Sequence, residues 1–319
     1  MNAIQTIIVL AIVLPSMCRA DMGSIPFKKG SRISEPKQDA IIAWNGREQL
    51  LYLQTTLAAT EETKVLEVMP LPSKPTVEAS DAGVFKRCAF LLPRAPASSS
   101  GANPFGEATD QSAAKVVERM MIGAHDIQVV ELLDAKRFAA WITMEFGDGG
   151  DPLEIPEPLL AVIDEYAKDG FQWFLFDVVD VKKELAKKTP LRIRFKTNFL
   201  YYPMRITRTE KGKTTVSLSV LTNVLFNKED CVGIPRDAIE VPAKPLEIPG
   251  NKLYFIDPPL FDLLGRPETA MLRSWRISGE INSFQKDLLI RNPATEMPKG
   301  DRDVADEPAA ASGSKLNGN

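Results

Sequence analysis

The one histidine of this 319-residue chain, His125, stands beside an acid, Asp126. A histidine with a neighbouring carboxylate has the residue types of a general base and its orienting group. The chemistry also needs a nucleophile and a mutual hydrogen bond in space. Neighbours on a strand point to opposite faces, so His125 and Asp126 cannot easily form that bond there. The plainer reading makes Gly123-Ala124-His125-Asp126 a turn at the entrance to a strand, with side chains bonded to local backbone. The geometry favours the plainer reading.

A chain with one histidine excludes the multi-histidine zinc and iron sites. It holds no G-x-S-x-G elbow, no P-loop and no G-x-G-x-x-G motif, so no cofactor is expected. "EFGDGGDPLE" carries Glu145, Asp148, Asp151 and Glu154 on a Gly-bearing loop. Asp148 and Asp151 are calcium candidates, but the alternating acids and distal Glu of an EF-hand are missing, and most acidic loops are simply solvated. Cys88 and Cys231 lack metal-type spacing. They are either two buried thiols or a bridge, which in the chain-entropy account adds roughly 5 kcal/mol for so long a loop.

Arg192, Arg194 and Lys196 share one side of the alternating "PLRIRFKT", with Lys187, Lys188 and Arg205 near in sequence. The set suits an anionic polymer or lipid head groups, or is merely the solvated side of an amphipathic strand. Trp44, Trp141, Trp173 and Trp275 each lie in apolar contexts that suit a core.

The elements that must position these residues follow from patterning. The composition is 44% hydrophobic and 25% charged, with net charge −3, which is ordinary for a globular chain and offers nucleic acid no basic field. "AIQTIIVLAIVLP" followed by "PSMCRA" has the shape of a signal peptide over residues 1–20, cut after Ala20. It is too short to span a bilayer comfortably. No Lys or Arg precedes it; an uncleaved anchor and a lipid-bearing Cys18 are the alternatives. No second apolar span follows, so no C-terminal membrane anchor is expected; the signal shape points to export, to the periplasm or cell envelope.

Residues 21–93 read as a β-rich region. It holds a hairpin at Asn45-Gly46, a strand in "TKVLEVMPLP" ending at an edge because of its prolines, and a short helix in "DAGVFKRCAFLL". Residues 94–114 are rich in Ser, Gly, Pro and Ala and read as a linker. Residues 115–230 read as an α+β region. There "DIQVVELL" is a strand, Asp134 caps a helix carrying Phe138, Trp141 and Ile142, Pro158 opens a second helix, and "FQWFLFDVVDV", "PLRIRFKT", "FLYYPMRIT" and "TTVSLSVLTN" follow as strands. Residues 231–292 are Pro-rich and extended with short strands, and 293–319 form a disordered tail. The fold class is α+β: a β-rich N-terminal part, then helices packed on a mostly antiparallel sheet.

Five segments carry a resemblance: "QDAIIAWNGREQLLYLQTTL", "TKVLEVMPLPSKP", "MIGAHDIQVVELLDAKRFAAWI", "IDEYAKDGFQWFLFDV" and "PLRIRFKTNFLYYPMRIT". In this order they resemble the bacterial family called domain of unknown function 2330, over residues 25–222. The resemblance implies an exported bacterial protein and implies no reaction. The function expected is a non-catalytic module that binds or supports an unknown envelope component. The alternative is a hydrolase-type envelope enzyme using His125 with carboxylates such as Asp126, Asp148 or Asp151.

Overall fold

A computed structural model describes residues 23–92, 114–147, 153–210 and 212–291. The expected signal peptide, residues 94–113 of the linker and the tail lie outside the described residues. Of those described, 47% are strand and 24% helix, a β-rich fold with several sheets and few helices. No helix among them is long and apolar enough to cross a membrane.

The chain opens with β1 (Gly23–Pro26), β2 (Ile33–Trp44) and β3 (Glu48–Ala59). The β2–β3 turn divides its work between two residues. Gly46 takes φ +90°, while the Asn45 side-chain carbonyl accepts the amides of Arg47 and Glu48, each at 2.9 Å. Strands β4 (Thr63–Leu71) and β5 (Thr76–Ala79) and helix α1 (Gly83–Leu91) follow. Pro70 sits inside β4, but β1 covers only Val65–Val68, so the missing amide falls where no strand pairs on that side.

Strand β6 (Ala114–Ile122) turns through Gly123, at φ +61°, into β7 (His125–Leu132). His125 and Asp126 therefore stand in a strand, one step past the turn expected to contain them. Helices α2 (Ala135–Glu145) and α3 (Glu157–Lys168) come next, then β8 (Trp173–Val181). The Asp134 carboxylate accepts the Arg137 amide at 3.4 Å at the start of α2. Phe138 and Trp141 of α2 lie 5.3–5.9 Å, ring to ring, from Phe174 and Phe176 of β8.

The remainder is β9 (Ala186–Lys187), β10 (Leu191–Lys196), β11 (Phe199–Tyr202), β12 (Lys213–Thr222), β13 (Cys231–Val232), β14 (Ile239–Glu240) and β15 (Leu246–Pro249). Helices α4 (Gly250–Ile256) and α5 (Pro258–Leu263) precede β16 (Thr269–Glu280) and β17 (Leu288–Arg291). Two expectations change here. "MRIT" is not a strand: Arg205–Thr209 is a 3-10 turn. The proline-rich stretch after Cys231 holds two helices and the twelve-residue β16, whose Trp275 is fully buried.

The described strands form three sheets. One has five antiparallel strands, β1-β4-β8-β7-β6. A larger one runs β14-β16-β12-β2-β3-β10-β5, with β15 beside β16 and β9 beside β3. Strands β11-β17-β13 make the third. Among the described residues β2 against β12 is the one parallel pairing, with Gln38 opposite Val216. The main core gathers apolar side chains of all three sheets, including Val129, Phe176, Ile193, Val216 and Leu289.

One glycine is required by space as well as by φ. Gly233 has φ +87°, and a Cβ there would sit 2.0 Å from the backbone carbonyl oxygen of Asp287. Gly233→Ala is expected to destabilise the fold by about 2 kcal/mol or more, because the left-handed penalty and the clash add. Urea melts check this; an unchanged midpoint would show that the 231–234 and 286–288 segments part freely.

Candidate functional site

The sheet register brings His125 to acids other than the one beside it. Glu67 of β4 lies opposite Asp177 of β8, and Asp177 lies opposite Ile127 of β7. His125, two residues before Ile127, is thus a diagonal neighbour of Asp177 on the same face. All three are sealed, at 2% exposure for His125 and 1% for Asp177 and Glu67.

The imidazole is fixed at both ends. Nδ1 stands 2.5 Å from Asp177 Oδ2, and Nε2 stands 3.0 Å from the Thr189 carbonyl oxygen. A carbonyl only accepts, so Nε2 carries a proton, and Nδ1 is taken up by the Asp177 carboxyl group. Burial alone would lower the His125 pKa, but the charge and hydrogen bond of Asp177, with the Thr189 carbonyl, outweigh it and raise the value. Both ring nitrogens are engaged inside the protein, so neither is free to take a proton from a substrate in this arrangement.

Burial, helped by the Asp177 charge, pushes Glu67 up to about 8. It is a neutral acid at pH 7. Lys188 approaches the same cluster and donates to the Asp180 carbonyl. Burial lowers its pKa against the pull of Glu67, Asp177 and Asp180. Asp177 Oδ1 and Glu67 Oε1 have no hydrogen-bond partner among the described residues. Sequence reading passed over Glu67 and Asp177. The available signal was a carboxylate inside an otherwise apolar strand, in "VLEVM" and "FLFDVV".

Asp126 points to the other face of β7 and holds Arg119 through two bonds of 3.0 and 2.7 Å. Glu145 accepts from Gln128 at 3.3 Å, and Glu154 pairs with Lys29 at 2.8 Å. The calcium candidates Asp148 and Asp151 lie outside the described residues. Cys88 and Cys231 are separate free thiols in two different core clusters. Burial pushes them up to about 11 and about 12, which leaves both inert at neutral pH.

The basic row is largely matched within the protein. Arg192 holds Glu78 and, at 3.0 Å, Asp257. Arg194 grips Glu48 at 2.9 and 2.7 Å. Lys187 reaches Gln54. Arg205 is not on that face: it is 4% exposed, with its guanidinium 3.9 Å above the Tyr166 ring and 2.5 Å from Asp169. Beside it Asp287 Oδ1 accepts the amides of Met204 and Arg205 at 2.9 Å and the Tyr166 hydroxyl at 2.7 Å. Three donors from two segments converge on one buried oxygen, and this convergence makes "MRIT" a turn.

A cavity of about 420 Å³ opens at the β2–β3 turn, lined by Trp44, Asn45, Gly46, Thr222, Asn223, Val224 and Phe226. It lies within the size range of small-ligand sites. The rings of Trp44 and Phe226 stand 5.9 Å apart at 41°. Most of its polar side chains face inward: the Trp44 indole donates to Thr197, Asn45 to Leu263, Thr222 to Val224 and Asn223 to Leu264. Trp141 and Trp275 are buried and Trp173 packs at the edge of the core.

No curated protein matches the chain. Two crystal structures of a mutated baculovirus P35 after caspase cleavage, at 2.7 and 3.1 Å resolution, each share 12% identity with it. The first match covers 81% of this chain and 94% of P35 with a TM-score of 0.37. The second covers 82% and 93% with a TM-score of 0.33. At these scores neither match bears on how this chain works. The family described as "Uncharacterized protein conserved in bacteria (DUF2330)" matches residues 17–240, well over half the chain and including every strand that builds the His125 cluster. This protein belongs to that family.

Proposed function

We propose that the protein is an exported, non-catalytic module of the cell envelope that binds another envelope component at the cavity beside Asn45 and Gly46. The observation that carries this reading is the cavity itself, with its two rings and no charged side chain among its lining residues. The signal-like first 20 residues support export. In this reading the His125 cluster is a fixture of the core that ties β4, β7 and β8 to the segment around Thr189.

The alternative, a hydrolase-type enzyme using His125 with carboxylates, draws on the His125–Asp177 contact. It asks a buried histidine, with both ring nitrogens already bonded inside the protein, to act as a base. The acid it pairs with is Asp177, not Asp126.

Wild type and Val224→Arg, immobilised side by side and exposed to solubilised envelope fractions, test the binding reading. Val224 is 59% exposed, so the variant is expected to fold normally. The expected result is an envelope component retained by wild type and lost by the variant. Equal retention by both, or retention by neither, counts against the cavity.

A further inference from the structure

We infer that the group received by this cavity is an uncharged aromatic ring bearing one hydrogen-bond donor, the indole or phenol of a tryptophan or tyrosine side chain on the partner. The inference rests on the binding reading above and names its ligand chemistry. Size comes first: about 420 Å³ suits a ring-sized group with its linker. The walls come second. Trp44 and Phe226 form a tilted aromatic pair, and a third ring can join it edge-on or offset, as aromatic groups prefer. Gly46 adds no side chain to fill the space.

Charge comes third. None of the seven lining residues is ionisable, so a charged group would enter without a counter-charge, at a steep desolvation penalty. Polarity supplies the donor. The Trp44 nitrogen, both ends of the Asn45 amide, the Thr222 hydroxyl and the Asn223 nitrogen all have partners within the chain. Asn223 lines the cavity with its nitrogen spent on Leu264, and its carboxamide oxygen has no partner among the described residues, which leaves one side-chain acceptor for an incoming N–H or O–H. A plain hydrocarbon ring would fill the walls and leave that acceptor unused.

Ligand-observed NMR titration of the full chain with N-acetyltryptophanamide, its 1-methyl derivative and N-acetylphenylalaninamide tests this. Saturable binding of the tryptophan amide is expected, with the two donor-less rings about fivefold weaker, the equivalent of one ordinary hydrogen bond. Val224→Arg is expected to weaken the tryptophan amide at least tenfold at an unchanged Tm. Equal affinity for methylated and unmethylated indole, no saturable binding, or binding indifferent to Val224→Arg overturns the inference. If Val224→Arg abolishes partner capture while the tryptophan amide fails to bind, the ligand chemistry is wrong and the binding reading stands. If the amide binds at the cavity and no partner is captured, the binding reading fails alone.

Discussion

Asp287→Ala is expected to lower the unfolding free energy by about 3–5 kcal/mol, the range found when one partner of a buried ion pair is removed. Asp287 is 1% exposed and faces Arg205 at 4%. Truncation leaves the Met204 and Arg205 amides and the Tyr166 hydroxyl without their acceptor. It also leaves the guanidinium with Asp169 as its remaining anion and with the Tyr166 ring beneath it. Urea denaturation at pH 7 measures the loss. Arg205→Met in the same chain is expected to return part of it, because the stranded cation is then gone, although the two amides stay unsatisfied. A loss below about 1 kcal/mol would mean that water reaches these donors and that the contact is ornamental.

Stability is expected to fall as pH rises from about 5.5 to 8.5, by roughly 2–4 kcal/mol, or about 5–10 °C in Tm. The sign follows from two groups. Glu67 is raised from an ordinary 4.5 to about 8, so between those values the folded chain keeps a proton that the unfolded chain has lost. The stabilisation is complete below the unfolded value and disappears as pH climbs through the folded one. His125 is raised above 6.5 and acts in the same sense over the upper part of the window. Glu67 also faces Asp177, Lys188 and Glu210. Lys188, lowered by burial, works the other way as pH climbs toward 10.5. Calorimetry at pH 5.5, 7 and 8.5 gives the slope, and Glu67→Gln is expected to remove more than half of it. A wild-type Tm that is flat or rising over this range would sink the assignment of Glu67 as a neutral buried acid.

Local patterns were readable from the sequence, and long-range partnerships were not. The alternation of Leu191, Ile193 and Phe195 with Arg192, Arg194 and Lys196 foretold β10 and its two faces, because a period of two is a purely local property. Asn45-Gly46 foretold the hairpin, since turn chemistry is local too. Asp134 foretold the start of α2. Strand β6 went unread because its first residue adjoins the Ser- and Gly-rich stretch and its apolar residues do not alternate; a bulge between Val116 and Glu118 breaks the period. The proline-rich appearance of residues 231–292 hid that Pro249 and Pro258 open helices.

The candidate site was the least legible part. Asp126 drew notice as the neighbour of His125, yet β geometry turns it away and brings in Asp177, 52 residues along the chain. Which acid meets the histidine is decided by the pairing of β7 with β8, and no spacing rule encodes that pairing. The cavity has the same origin. Trp44 read as core, which it is, at 3% exposure. Its ring becomes a wall only because Thr222 at the end of β12 lies opposite Trp44.

That parallel union of β2 and β12 also dictates an order of events in time. Strand β2 finds one neighbour at once, through the hairpin with β3, but its other edge waits for residues 216–222. Strand β12 in turn waits for β16, which ends at Glu280. A chain made from its N-terminus therefore carries a half-paired apolar hairpin until residues 216–222 have been made. Closing so distant a pair is slow, since the entropy of the intervening loop is lost before the contact forms. Over that interval the open edge of β2 is the place where the nascent chain is most exposed to pairing with a second copy and most in need of a holding chaperone.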